Sequence, residues 1–92
     1  MRHSEKKQVK EWISQANEVL EKLYILKEEL ERIKDEHEEW MDERDSETDY
    51  KFMESQTGER AQEDLEKYEE WIDNIDSIIE PLGDTINEVE SL

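Results

Sequence analysis

The sequence predicts an all-α fold: a single domain over residues 1–92, built as an antiparallel, coiled-coil-like two-helix hairpin. Two observations point there. Two apolar stripes keep heptad phase along most of the chain, and a short segment of helix-breaking residues separates them. A third observation, the charge, directs the functional reading. Only 33% of the residues are hydrophobic while 45% are charged, so any core must be narrow, and the formal net charge is −17.

The first stripe is Val9, Trp12, Ala16, Val19, Leu23, Leu26, Leu30, Ile33, His37 and Trp40. Its steps alternate three and four, as in a helix packed along a seam, and His37 is its one polar member. This predicts a helix over residues 5–44. Residues 45–58, DSETDYKFMESQTG, read as a loop. Ser46, Thr48, Ser55 and Gly58 break the pattern, and Thr57 is a candidate N-cap for the next helix. Tyr50, Phe52 and Met53 are apolar residues inside that loop. They either fold over the end of the hairpin or, with Trp40, form a tip that contacts a partner.

The second stripe is Ala61, Leu65, Tyr68, Ile72, Ile75, Ile79, Leu82, Ile86 and Val89, predicting a helix over 58–92. Trp40 is then expected near Ala61 and Leu65. Pro81 lacks an amide donor and clashes with the preceding turn. Gly83 and Asp84 follow it, and Asp84 could cap a new helix. Because the apolar phase passes straight through, the expectation is a kink at 81–84 in a nearly continuous helix. A lone hairpin of this size buries little. Ile13 and Leu20 flank the first stripe and Trp71, Ile78 and Leu92 the second, so a homodimer pairing through Trp12, Ile13, Leu20, Trp71 and Ile78 and closing into a four-helix bundle is expected.

Several chemistries are excluded or left without support. There is no Cys, hence no disulfide, thiolate zinc site or Cys nucleophile. The basic opening MRHSEKKQVKEW lacks an apolar core region and is not read as a signal peptide. No run approaches the ~18 apolar residues of a membrane span, and a cytoplasmic location is expected. Di-iron bundles use Glu-x-x-His, but Lys34 stands three residues before His37. Asp45, Glu47 and Asp49 start like an EF-hand loop, yet Tyr50 and Gln56 occupy the positions that need Gly and a bidentate Glu. Outward-facing carboxylates in water lack the pocket that would separate their pKa values for acid–base work. The expectation is a non-enzyme without metal or cofactor.

The charge is unevenly placed. Residues 1–34 hold 8 Lys/Arg and 7 Asp/Glu, whereas residues 35–92 hold 4 and 22. Glu59, Glu63, Glu66, Glu70 and Asp73 step by four and three, making a carboxylate line opposite the second stripe. Glu38, Asp42, Asp45 and Asp49 continue a similar spacing near the loop. Like charges at these spacings destabilise a helix by ~0.2–0.5 kcal/mol per pair. Binding nucleic acid needs cations to neutralise phosphates, so neither nucleic acid nor an anionic membrane is an expected partner. A protein with a basic surface is.

The segment DEHEEWMDERD (35–45), the loop, and SQTGERAQEDLEKYEEWIDNIDSIIEPL (55–82) resemble small acidic hairpin proteins of tailed phages and prophages of Gram-positive bacteria. Ser-x-x-Gly-Glu opening a Glu-rich amphipathic helix is the most specific element of the resemblance. Pro81 and the three Trp depart from the usual Ala- and Glu-rich form. The resemblance implies a phage accessory role, where acidic proteins that block host nucleases are a known strategy, and it carries over no functional residues. WXG-type hairpins need Trp-x-Gly at the turn, but Met41 and Asp42 follow Trp40. Two functions follow as expectations. One is an anti-defence inhibitor that imitates DNA on a basic surface. The other is a homo-oligomeric structural module with no mimicry.

Overall fold

The computed structural model describes residues 1–92 and is all-helical. Helix α1 spans His3–Glu47, a 3₁₀ turn spans Phe52–Glu54, and helix α2 spans Gln56–Glu90. The chain divides into two compact units, one formed by Met1–Lys27 with Ile75–Leu92 and the other by Glu28–Asn74. In each, a segment of α1 lies against an antiparallel segment of α2.

Local chemistry sets the helix ends. At the start of α1, the Arg2 amide and guanidinium both donate to the Glu5 carboxylate. The helix runs beyond the expected residue 44 because Thr48 continues its bonding. The Thr48 amide donates to the Arg44 carbonyl at 3.1 Å, and its hydroxyl donates to the same carbonyl at 3.0 Å. Asp49 (φ 55°) and Tyr50 (φ 64°) then turn left-handed. The Tyr50 amide reaches back to the Asp45 carbonyl at 2.7 Å, the six-to-one bond of a Schellman stop.

Ser55, and not Thr57, caps α2. Its Oγ accepts the Gly58 amide at 3.0 Å and donates to the Phe52 carbonyl at 2.6 Å. One hydroxyl thereby ties the 3₁₀ turn to the helix start, while Thr57 lies inside the first turn. Glycine at 58 is a steric requirement here, since a Cβ would sit 1.9 Å from the Phe52 carbonyl oxygen. At the other end, α2 passes through Pro81 without a break, and Asp84 caps nothing. Pro81 is exposed, and its carbonyl accepts the Thr85 hydroxyl at 2.9 Å.

The α2 stripe packs as its sequence pattern predicts, with Ala61, Ile72, Ile79 and Ile86 buried and the other members half-buried. The α1 stripe does not. Val9, Ala16, Leu23, Leu30 and His37 face α2, but Trp12, Val19, Leu26, Ile33 and Trp40 stand exposed. Their expected places are taken by Ile13, Leu20, Lys27, Lys34 and Met41, one residue further on. Relative to expectation, α1 is rotated about its axis by ~50°.

In this rotation two lysines of α1 meet acids beside the α2 seam. Lys27 meets Asp76 at 2.7 Å in the first unit, and Lys34 approaches Glu69 at 3.9 Å in the second. Had the Trp–Val–Leu–Ile–Trp column faced α2, the half-exposed Asp76 and Glu69 carboxylates would lack these partners. Lysine instead lays its alkyl stem over the seam and carries its ammonium to the acid.

Two substitutions test these assignments. Gly58→Ala should lower stability by about 1–3 kcal/mol in chemical denaturation, because backbone must move to admit the methyl. Pro81→Ala should raise it. Restoring the bond and removing the clash is worth ~3 kcal/mol in a helix interior, less ~0.4–1 kcal/mol for the freer unfolded chain, so about 2 kcal/mol should remain. A melting temperature unchanged or lowered by Pro81→Ala would contradict the continuous helix.

Candidate protein-docking surface

The loop end of Glu28–Asn74 carries the one hydrophobic cluster of buried residues: Met41, Phe52 and Ala61, with Leu65 packed against it. Met41 thus occupies the place expected for Trp40, as the rotation of α1 requires. Phe52 is only 4% exposed, so the proposed tip loses its central ring to the interior. Among the other expected tip residues, Tyr50 is 74% exposed, Met53 40% and Trp40 41%. The left-handed backbone at Tyr50 sends that side chain outward while Phe52 turns in.

Aromatic contacts lead from this cluster to the surface. Trp40 meets Phe52 edge-on with centroids 5.5 Å apart, and His37 lies 5.6 Å from Trp40 and 5.4 Å from Tyr68. Tyr68 in turn meets Trp71 at 5.6 Å. Four consecutive ring contacts therefore cross from α1 to α2 and hold two exposed tryptophans, Trp40 and Trp71, in place. His37 Nε2–H donates to the Ala61 carbonyl at 2.8 Å. That bond selects the Nε2 tautomer and makes His37 a register-setting seam residue.

The acidic residues fall into two sets. Glu59, Glu63, Glu66, Glu70 and Asp73 are all exposed on the side of α2 away from its seam. Glu59, Glu63, Glu66 and Glu70 form no ion pair, while Lys67 turns to Asp64 at 3.9 Å. Nearer the loop, Asp42 and Asp49 are exposed, but Glu38 and Asp45 are half-buried. Glu38 lies 3.8 Å from Lys34. One Asp45 carboxylate oxygen is enclosed with no hydrogen-bond partner, so this acid is turned partly inward. Within Glu28–Asn74 there are 6 Lys/Arg against 20 Asp/Glu, a net of −14, whereas the other unit nets −3.

The expected oligomer flank also divides. Trp12, Trp71 and Ile78 are exposed, but Ile13 and Leu20 are half-buried in the seam. In their place the structure exposes Val19, Leu26 and Ile33. The heptad phase already held both columns, and only the acids flanking the α2 seam distinguish them. No helix is long and apolar enough to cross a membrane. No protein-family model, curated protein or solved structure matches this chain.

Phe52→Ala should cost about 3–5 kcal/mol of stability, as expected for a buried aromatic. Tyr50→Ala should cost less than ~0.5 kcal/mol, as expected for an exposed one. Equal losses on thermal unfolding would contradict the inward and outward assignments of the two rings.

Proposed function

We propose that this chain is a small acidic binding protein of phage type. It inhibits a nucleic-acid-acting host or defence protein by covering that protein's basic surface, without itself catalysing a reaction. The exposed line on α2 carries the proposal. The line consists of Glu59, Glu63, Glu66, Glu70 and Asp73. At ~1.5 Å per residue they span ~21 Å, roughly one charge per 5 Å, against ~3.4 Å per charge along one DNA strand. A groove of Lys and Arg that tracks a phosphate backbone meets a regular row of negative charge on this helix. The exposed acids Asp42 and Asp49, with Tyr50 and Met53 beside them, supply further contacts at the loop end. The target acts in the host cytoplasm, where such an inhibitor is made.

The four like-charge steps of the line cost the helix ~1–2 kcal/mol together. Retaining that cost is understandable if the line binds something. Reversing Glu63, Glu66 and Glu70 to Lys gains opposite-charge pairs with Glu59, Glu69 and Asp73 but loses those with Arg60 and Lys67, so stability should change by less than ~0.5 kcal/mol while binding to the basic target is removed. The measurement pairs thermal unfolding with retention of basic host proteins on the immobilised chain, in rising salt and with competing duplex DNA. Retention that survives high salt, DNA competition and the triple reversal would sink the mimicry reading.

A second reading is favoured by a separate observation. Trp12, Val19, Leu26, Ile33, Trp40, Trp71 and Ile78 are each more than a third exposed. So many large apolar side chains fit a homo-oligomeric helical module, a dimer closing into a four-helix bundle. The two readings are compatible, because the acid line lies on a different side of α2 from Trp71 and Ile78.

A further inference from the structure

The column that α1 leaves uncovered has an internal symmetry. Read along the helix it is Trp12, Val19, Leu26, Ile33, Trp40, with an aromatic at each end, a β-branched residue inside each, and leucine at the centre. All five are exposed, from 36% at Ile33 to 50% at Val19 and Leu26. A two-fold interface requires self-complementarity: if residue i contacts residue j, then j contacts i. A column of side-chain shapes that reads alike in both directions meets that requirement when two copies run antiparallel about its centre.

We propose that this column binds a second copy of the same chain, antiparallel to the first, with the two-fold axis at Leu26. The proposal rests on the oligomeric reading above and specifies its geometry. Trp12 meets Trp40 of the second copy, Val19 meets Ile33, and Leu26 meets Leu26.

Charge selects both the occupant and the direction. The next column outward on α1 is Gln8, Gln15, Lys22, Glu29, Glu36 and Glu43. Antiparallel about Leu26, Lys22 comes opposite Glu29 twice, and the two glutamines come opposite Glu36 and Glu43. Parallel copies would instead bring the acidic stretch 35–47 of one chain level with the same stretch of the other, and adjacent like charges are unfavourable. The same holds more broadly along the helix. Residues 1–34 net +1, whereas residues 35–47 hold one Arg against eight acids. Antiparallel pairing lays the near-neutral stretch of one copy on the acidic stretch of the other. A basic partner protein is drawn first to the acid line on α2, whereas the apolar column between these edges suits a second apolar helix face.

The chain has no Cys, so single-cysteine variants report geometry directly. Val19→Cys and Ile33→Cys both alter exposed positions, and circular dichroism checks that each remains helical. Light scattering on the native chain should give about twice the 11.2 kDa monomer mass. Under oxidation, an equimolar mixture of the two variants should form the mixed disulfide. Val19→Cys alone should not link to itself, because its two copies stand ~21 Å apart along the axis, far beyond disulfide reach. Lys22→Glu should weaken the dimer roughly tenfold, and adding Glu29→Lys should restore it. A folded monomer would overturn the oligomeric reading together with this geometry. A dimer in which Val19→Cys links to itself, with no mixed product, would overturn the antiparallel geometry and leave the oligomeric reading standing.

Discussion

The rotation of α1 about its own axis is the constraint from which the other features follow. Alternating steps of three and four give the helix two usable seams that share Val9, Ala16, Leu23, Leu30 and His37. One adds five large apolar residues, and the other adds two lysines among three apolar residues. The second is the one used, and it sets Lys27 against Asp76 and Lys34 against Glu69 beside the α2 stripe. The gain from each ion pair is small in itself. The lysine stems also cover the seam while their ammonium groups stay at the half-exposed acids, so this face combines apolar cover with the two ion pairs.

With that rotation, Met41 comes round to Ala61 and opens the site that Phe52 fills. The turn is then held by close backbone approach. Gly58 lies against the Phe52 carbonyl, and the Ser55 hydroxyl donates to that carbonyl and accepts the Gly58 amide of α2. This end of the molecule holds the best-packed cluster, while no side chain anywhere is fully enclosed. A core this thin leaves much of its apolar surface outside, and the displaced column accounts for much of it.

The two candidate surfaces therefore share a physical origin. The acids that flank the α2 seam pair with lysines of the α1 face that packs, and the other face is left bare. The acids on the far side of α2 form the exposed line. One surface is nearly uncharged and apolar and suits another helix of like composition. The other is a dense row of charge and suits a basic groove. Small acidic proteins need both kinds of surface if they act as dimers, since the apolar contact must hold two negatively charged chains together.

The heptad spacing in the sequence determined that the chain forms two helices, which face α2 buries, and that the acids from Glu59 to Asp73 point outward. Each follows from the helix repeat alone. The left-handed stop at Asp49 and Tyr50 and the Ser55 cap were less legible, because Ser46, Thr48, Ser55 and Thr57 all bear capping side chains and only three-dimensional closure chooses among them. The passage of α2 through Pro81 was foreshadowed by unbroken apolar phase, since packing on both sides outweighs one missing bond. Tertiary structure alone decided which α1 column packs, and hence that Phe52 is interior, Met41 replaces Trp40 in the core, and Trp12, Val19, Leu26, Ile33 and Trp40 face outward. Hydrophobicity along one helix cannot make that choice, because it depends on what the other helix sets opposite each column.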